Sequence, residues 1–189
     1  MQNKDFQYFK LFRDVCKVVN SSLDLKEVLK LITENVGHVL DVKACTVFIW
    51  DRKRNILEVS ATHGVSEAYL KKGPIVADKS ISETLQGKKV LIYDIANDPR
   101  VQYPEEAKRE GIASILSVPI SVKEDIIGVL RIYTAQKRDF SDDEYEFIAG
   151  LADMGGIAID NARMYDHLKA DHERLIQHVY QWFDYGNMP

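Results

Sequence analysis

Apolar residues recur every three or four positions near the start of the chain, and this spacing gathers them on one face of a helix. The pattern predicts an amphipathic helix over about residues 5 to 21. Its apolar stripe needs a partner surface and consists of Phe9, Phe12, Cys16, Val19 and Leu23.

A second helix is predicted after the polar break at Asn20-Ser21-Ser22. Asp24, followed three residues later by Glu27, resembles a capping box, in which two side chains satisfy unpaired amides of the first turn. The apolar positions between Leu25 and Leu40 form a wide face, so we expect this helix to lie against a sheet.

Farther along the chain the period of the pattern changes to two, which is the period of a strand. Residues 44–50 and 56–62 alternate in this way across a polar turn, which predicts a hairpin. Lys88, at the start of the segment 88–94, is typical of a sheet edge, where lysine discourages pairing with another chain. A second hairpin is predicted for residues 114–122 and 126–134.

Start and stop signals predict short helices between these strands. Ser80 and Glu83 have capping-box spacing, and the helix that they begin should end at Gly87. Pro104 suits a first helical turn, and Gly111 suits a left-handed end to the same helix.

The last predicted helix is the longest. Ser141 and Glu144 form a capping box at its start, where acidic side chains also favour the positive end of the helix dipole. Its apolar pattern continues beyond Asn161 to Val179, farther than one globular domain needs.

The composition argues against several partners and compartments. The 189 residues, 46% of them hydrophobic, suffice for one domain with a real core. A formal net charge of -4 disfavours nucleic acid and anionic membranes as partners. We find neither an apolar run of the ~18 to 20 residues that span a membrane nor a signal-peptide pattern, so we expect a cytoplasmic protein.

A series of short motifs in a fixed order carries more specific information. They are Asp98-Pro99-Arg100, Glu110-Gly111-Ile112, Val118-Pro119-Ile120, Ile127-Gly128-Val129-Leu130, Phe140-Ser141 and Ala158-Ile159-Asp160-Asn161-Ala162. In this order and spacing they resemble the GAF domain over about residues 24 to 165. The number of distinct motifs argues against a chance match.

The resemblance implies an α+β fold of the GAF/PAS type, with a central antiparallel sheet of about five to six strands. The helices that enter and leave the domain would pack on one face, and loops and short helices would enclose a small-molecule pocket on the other. We divide the chain into an N-terminal amphipathic helix (residues 1–23), the GAF domain (24–165) and a C-terminal helical extension (166–189).

The resemblance also implies a sensory or regulatory role, and we expect no enzymatic activity. Members of the family bind cyclic nucleotides, haem, linear tetrapyrroles, metals or small metabolites, and often signal through flanking helices to an output domain, as in two-component proteins. We expect an unidentified small-molecule ligand and assign no cofactor. A ligandless dimerisation module on the same fold is an alternative.

Two segments, residues 69–83 and 93–114, would form the walls of the implied pocket. Asp94 and Arg109 can instead tie the loop to the short helix as a brace, without binding a ligand. The polar candidates for ligand contact are Tyr69, Ser80, Thr84, Tyr93, Asp94, Tyr103 and Arg109.

The residues disfavour several ligands known in the family. Phe140 and Asp143-Glu144 match part of the Asn-Lys-Phe-Asp-Glu signature of cyclic-nucleotide binders, but no Asn-Lys pair precedes them. No cysteine adjoins a histidine, the common arrangement for tetrapyrrole attachment. No metal site is expected, since His167, His172 and His178 are not spaced to share one helix face.

Two cysteines and one histidine are the remaining candidates for chemistry. Free methionine sulfoxide reductases on the same fold use reactive loop cysteines and are the enzymatic alternative. Cys45 lies in a strand pattern and Cys16 lies outside the domain, which disfavours this chemistry. His63, at a strand end, is either a ligand or haem contact or an ordinary polar residue.

The first and last helices carry more apolar surface than one sheet face obviously covers. We therefore expect a homodimer in which these helices form a bundle, with coverage of the chain's own sheet as the alternative. The seam on the last helix approaches the 4-3 alternation of a coiled coil and consists of Ile157, Met164, Leu168, Leu175 and Trp182.

Overall fold

The computed structural model describes residues 2–22 and 24–185, and within them all side chains except those of residues 2–5, 79, 80 and 179–185. Leu23 of the predicted stripe and the side chains of Ser80 and Trp182 lie outside the described residues. The helices are α1 (Gln2–Ser21), α2 (Leu25–Val39), α3 (Glu67–Leu70), α4 (Lys79–Ser82), a 3₁₀ helix (Thr84–Gln86), α5 (Pro104–Arg109) and α6 (Asp142–Tyr185). The strands are β1 (Ala44–Asp51), β2 (Ile56–His63), β3 (Ile75–Val76), β4 (Val90–Ile92), β5 (Ser114–Val122) and β6 (Asp125–Thr134).

Six antiparallel strands form one sheet in the order β3-β2-β1-β6-β5-β4. This arrangement confirms the α+β fold class, and β4 lies at an edge, as Lys88 indicates. The two predicted hairpins, β1-β2 and β5-β6, meet in the centre of the sheet, where Thr46 is opposite Arg131. Side chains alternate between the two faces along each strand, so the faces make separate contacts.

Helices α1, α2 and α6 pack together on one face of the sheet, as expected of the helices that enter and leave the domain. α6 approaches so closely that a Cβ atom at Gly156 would lie 2.3 Å from the carbonyl oxygen of Ser121, so this position requires glycine. The apolar cluster on this face includes Leu29, Ile32 and Val36 of α2, Leu130 and Ile132 of β6, and Ile148 and Leu151 of α6.

The buried face of α1 differs from the predicted stripe. Leu11, Val15 and Val19 are buried, whereas Phe9 is 66% exposed. The helix carries apolar residues on two adjacent faces, and the surface that α2 and α6 offer selects between them. The contacts of α1 with α6 include the stacked rings of Tyr8 and Phe147, with centroids 4.2 Å apart, and Cys16 Sγ, 3.8 Å from Met154 Sδ.

Capping side chains begin α2 and α6 in different ways. The predicted capping box forms at α6, where the Glu144 amide donates to Ser141 Oγ at 3.2 Å and the Ser141 amide donates to Glu144 Oε2 at 3.1 Å. At α2 the Asp24 carboxylate caps the first turn, but the Glu27 carboxylate accepts from Ser22 Oγ and not from the Asp24 amide. The reciprocal box predicted for α2 is therefore absent.

The short helices follow their predicted start and stop signals with one change. α5 begins at Pro104 and is followed by Gly111 at a φ of 73°. α4 begins earlier than Ser80 indicates, with Asp78 as its N-cap residue. The 3₁₀ helix after it ends at Gly87, which has a φ of 91°.

α6 is a continuous helix of 44 residues that extends well beyond the sheet. Its first half buries Ile148, Leu151 and Ile159. Every side chain from residue 163 to residue 178 is exposed, including Met164 and Leu168 of the predicted seam. The seam residues whose side chains are described, Ile157, Met164, Leu168 and Leu175, are thus all exposed in the single chain.

Candidate functional site

A row of polar side chains crosses the sheet on the face opposite α1, α2 and α6. Thr62, Thr46, Arg131 and Ser117 are neighbours in register on β2, β1, β6 and β5. The hydroxyls of Thr46 and Thr62 lie 2.7 Å apart, and Arg131 Nε donates to Ser117 Oγ at 3.2 Å. We call these four residues the polar row.

Apolar side chains flank the polar row on both sides, because residues two positions away along a strand share its face. On one side, Tyr133 and Ile115 belong to an apolar cluster with Tyr69 of α3. On the other side, Phe48 and Val129 belong to a second cluster. The polar row therefore lies in an otherwise apolar floor.

Arg131 gives this floor a fixed positive charge. Its side chain is buried, with only 4% of the residue exposed, and a guanidinium stays protonated throughout the physiological range. The Tyr133 hydroxyl is hydrogen-bonded to Thr46 and to Arg131. Burial raises the pKa of Tyr133, so its hydroxyl stays protonated beside the guanidinium.

The segments between β2 and β5 close over the polar row and leave a small cavity. Its volume is about 10 Å³, which is room for about one water molecule. The polar and aromatic side chains that line it are Tyr69, Lys72, Gln102, Tyr103 and Arg131, beside apolar Ile75, Ile92, Val101 and Ile115.

Lys72 is the second cation at this cavity. Its Nζ donates to the Tyr69 carbonyl oxygen at 3.1 Å and lies 3.8 Å from the centre of the Tyr69 ring. Burial, and secondarily the charge of Arg131, lower the pKa of Lys72 to about 8. Among the described residues, no carboxylate forms an ion pair with this ammonium group.

Hydrogen bonds hold the covering segments to one another and to the sheet. The side chain of Gln102 pairs with the main chain of Val76, accepting from its amide at 3.0 Å and donating to its carbonyl oxygen at 2.7 Å. Tyr103 Oη donates to the Pro74 carbonyl oxygen at 2.8 Å. Further ties are the ion pairs of Arg100 with Asp98 and Glu83, and the bond from the Ser66 amide to Glu110.

Three of the predicted ligand contacts lie on this side of the sheet. Tyr69 and Tyr103 line the cavity, and Thr84 is fully buried in the 3₁₀ helix that packs over β5 and β6. Thr84 Oγ1 and Trp50 Nε1 are the buried side-chain polar atoms that lack a hydrogen-bond partner among the described residues. The predicted contact of Ser80 falls on a side chain outside the described residues.

The other three predicted contacts lie away from the cavity. The Tyr93 side chain is exposed. Asp94 accepts from Asn97 and pairs with Lys137, and these bonds lower the pKa of Asp94. The predicted brace between Asp94 and Arg109 is wrong, because Arg109 pairs with Glu106 of its own helix at 3.5 Å.

Sequence reasoning missed Lys72 and the polar row. Arg131 carried a usable signal, since it stands between Leu130 and Ile132 in a strand whose neighbours are apolar on both faces. A charged residue at such a position has to be buried with polar partners. Lys72 carried no such signal, because a lysine at the end of a short helix is ordinarily solvated.

The cysteines and His63 lie elsewhere. Cys45 is buried on the helix-covered face, where burial raises the pKa of its thiol, and Cys16 lies on α1. His63 is opposite Cys45 in the β1-β2 register and lies near His38 of α2, with ring centroids 5.7 Å apart. The ring of His63 therefore lies against α2, which favours the interpretation of His63 as an ordinary polar residue at a strand end.

Two larger depressions on the surface are open grooves. One, of about 340 Å³, lies between α1 and α2 and is lined by exposed Lys10 and half-buried Asp14. The other, of about 480 Å³, lies beside the loop before α6 and is lined by exposed Asp41 and Lys137. Neither touches the polar row, so the enclosed cavity over Arg131 is the better candidate site.

Within residues 2–22 and 24–185, no group of three or more His, Cys, Asp or Glu side chains is arranged to hold a metal ion. No helix in this part of the chain combines the length and the apolar character needed to cross a bilayer.

The sequence pattern of the GAF domain family matches residues 24–159. The chain is 29% identical over 168 residues to a methyl sulfide methyltransferase-associated sensor from Methanosarcina acetivorans, a match that covers 85% of this chain and 17% of the sensor. It is 21% identical over 175 residues to a formate hydrogenlyase transcriptional activator from Salmonella typhimurium, covering 89% of this chain and 25% of the activator. The chain thus spans about a quarter or less of these relatives.

Solved structures share the same fold. The GAF domain of a phosphoenolpyruvate-protein phosphotransferase from Coxiella burnetii superposes with a TM-score of 0.75 at 22% identity, covering 86% of this chain and 98% of that one. A free methionine-R-sulfoxide reductase from Neisseria meningitidis, solved with its substrate, has a TM-score of 0.71 at 16% identity, covering 84% and 91%. At these identities the likeness concerns the fold alone.

Proposed function

The chain belongs to the GAF domain family, and we propose that it is a regulatory module that binds a small molecule on the cavity face of its sheet. Its sequence relatives include a sensor and transcriptional activators. The observation that carries the proposal is the polar row, because a buried arginine with hydroxyl partners is a costly feature in a floor that serves packing alone.

The same strands connect this face to the helices. Along β6, Arg131 faces the cavity while Leu130 and Ile132 pack with α2 and α6. Gly156 of α6 lies against the main chain of β5 at Ser121, and through this contact a shift of the strands would move the helix. A ligand would act by binding one arrangement of strands and helices more tightly than another.

We infer that the helices transmit this change in a homodimer. The exposed part of α6 continues for four turns beyond the sheet, with its apolar residues unpaired inside the described chain. An output domain in a longer cytoplasmic signalling protein would receive the motion. Among the side chains that the structure describes, the large hydrophobic residues left exposed on α1 and α6 are Phe6, Phe9, Ile157, Met164, Tyr165, Leu168, Leu175 and Ile176.

The size of the cavity favours a second candidate, a dimerisation module without a ligand. A volume of about 10 Å³ admits no metabolite unless the covering segments move. Gln102 and Tyr103 hold those segments through hydrogen bonds to Val76 and Pro74. The two candidates differ in whether any compound stabilises the folded chain.

The reductase alternative is disfavoured by the placement of the thiols. Such chemistry needs a thiolate that reaches the substrate and a second thiol that regenerates it. Cys45 is buried on the helix-covered face and its pKa is raised. Cys16, on α1, lies against Met154 of α6. Neither is a lining residue of the cavity.

A thermal-shift screen of central metabolites tests the proposed function. A compound that binds the folded state raises the melting temperature in proportion to RT ln(1 + [L]/Kd), so the shift should grow with its concentration. We expect at least one such compound, whose shift is reduced in an Arg131→Met variant. A library without any saturable stabiliser would instead support the ligandless module.

A further inference from the structure

The charges around the cavity indicate what kind of molecule it takes. Arg131 lies in the floor and Lys72 in the wall, so two cations line a space of about one water molecule. The carboxylates whose charges act on Lys72 are Glu106 and Glu110. Both are engaged elsewhere, Glu106 with Arg109 and Glu110 with Ser66.

Two buried or half-buried cations repel each other when little water separates them. Burial lowers the pKa of Lys72 most, and the charge of Arg131 lowers it further, as this repulsion requires. An anion between them would replace this repulsion by two attractions. The proximity of the two cations is therefore unfavourable in itself, and a bound negative group would offset it.

The surrounding donors suit oxygen atoms. The Arg131 guanidinium presents a planar set of N–H groups, which matches carboxylate and phosphate oxygens. The ammonium of Lys72 adds three further donors, one of which is used by the Tyr69 carbonyl oxygen. The Ser117 and Tyr133 hydroxyls already bond to Arg131 and orient it.

We propose that this site binds a small oxyanion, a carboxylate or phosphate group held between Arg131 and Lys72. The inference rests on the proposed function and names the chemical class of its ligand. The closed cavity holds about one water molecule, so an oxyanion would enter only by displacing the loop that carries Gln102 and Tyr103. Loss of the hydrogen bonds made by Gln102 and Tyr103 would then couple binding to movement of the covering segments.

Titration of the ¹⁵N-labelled chain with sodium acetate and with inorganic phosphate, at ionic strength matched with sodium chloride, tests this inference. Acetamide, which has the shape of acetate without its charge, is the neutral control. We expect acetate, phosphate or both to shift the Arg131 Nε–H and Ser117 amide resonances saturably, and acetamide to leave them in place. A response to acetate alone identifies a carboxylate site, and a response to phosphate alone identifies a phosphate site.

Variants separate the site from general charge effects. Lys72→Met is expected to weaken binding about tenfold or more, since it removes a charge-assisted hydrogen bond. Lys71→Met is the matched control, because Lys71 is exposed and pairs with Glu67, and it should bind like the unmodified chain. Arg131→Met should abolish binding. If Arg131→Met does not fold, the affinity of Lys72→Met tests the oxyanion site by itself.

The contradicting outcomes are distinct. Equal affinity in the Lys72→Met and Lys71→Met variants, or no saturable shift by either oxyanion, overturns the oxyanion site. Saturable shifts by acetamide, without shifts by the oxyanions, also overturn it but leave the proposed function standing with a neutral ligand. A metabolite screen without any hit, combined with silent titrations, removes the proposed function as well.

Discussion

Arg131 Nε donates to Ser117 Oγ at 3.2 Å across the β5-β6 pair, and both side chains are buried beneath the segments that cover the sheet. This bond fixes the guanidinium in the floor of the cavity without a carboxylate in the bond itself. Since Ser117 is neutral, this bond does not offset the positive charge of Arg131. This face of the sheet thus differs from the opposite face, where Leu130 and Ile132 pack against helices.

Removal of the Lys72 charge should stabilise the free chain. Lys72→Met keeps the length of the side chain and relieves the desolvation and the repulsion by Arg131 that lower the pKa of Lys72. We expect the free energy of unfolding near pH 7 to rise by ~1 kcal/mol, less than the full pKa shift would give because the side chain is partly solvated. Urea unfolding measures this change in stability. The control is Lys71→Met, whose stability is expected to lie within ~0.5 kcal/mol of that of the unmodified chain.

The same stabilisation should depend on pH. The pKa of Lys72 is about 8 in the folded chain against an ordinary value of 10.5, so between these values the unfolded chain binds more protons. Stability of the unmodified chain relative to Lys72→Met should therefore rise with pH across this window. Arg131, Glu106 and Glu110 are the charges that act on Lys72, and a difference that stays constant from about pH 7 to about pH 10 would contradict this assignment.

Gly156 is expected to be a tightly constrained position. A Cβ atom there would lie 2.3 Å from the Ser121 carbonyl oxygen, so Gly156→Ala should force α6 away from β5 and cost ~1–3 kcal/mol of stability. Gly155→Ala is the matched control. Its Cβ would meet Leu29 and Ile32 at 3.7 Å, an ordinary contact, and alanine favours a helix by ~1 kcal/mol. Equal unfolding midpoints of the two variants would show that α6 and β5 are not in this contact.

The cysteines should differ in reactivity toward an aromatic disulfide reagent. Cys45 is fully buried with a raised pKa, whereas Cys16 is partly exposed. In a Cys16→Ser variant we expect labelling of Cys45 only on unfolding, and in Cys45→Ser we expect faster labelling of Cys16 in the native state. Rapid labelling of Cys45 in the native state would contradict its burial and would support the reductase alternative.

The apolar seam of α6 should control the oligomeric state. Leu168 is 71% exposed in the single chain, so Leu168→Glu should leave the fold intact while it disrupts a coiled-coil contact. Light scattering at tens of micromolar is expected to give a dimer for the unmodified chain and for the control Lys169→Glu, and a monomer for Leu168→Glu. A monomer mass for the unmodified chain would refute the dimer.

Five of the six strands, the caps at Ser141 and Pro104 and the edge position of β4 could be predicted from the sequence, because each depends on a local period or on neighbouring residues. The strand β3 was not predicted, since its two residues are too few to show a period. The face of α1 could not be, since its two apolar faces are equivalent until α2 and α6 are in place. The partner of Asp94 was missed for the same reason. Lys137, which follows β6, is 43 residues away along the chain.

The candidate site depended still more on tertiary structure. Tyr69 and Tyr103 were predicted from their place in the wall segments, and both line the cavity. Lys72 and Ser117 could not be assigned to the site from the sequence, because tertiary structure alone places them there. The strand register sets Ser117 beside Arg131, and the chain after α3 lays Lys72 over the floor of the cavity.

Native mass spectrometry of freshly purified chain tests the central claim most directly. The account predicts a co-purified molecule of low mass that carries a negative charge, bound to the unmodified chain and to Lys71→Met and lost from Lys72→Met. An unmodified chain whose mass equals that of the polypeptide alone, under conditions that preserve its dimer, would contradict the claim that this domain is a small-molecule sensor.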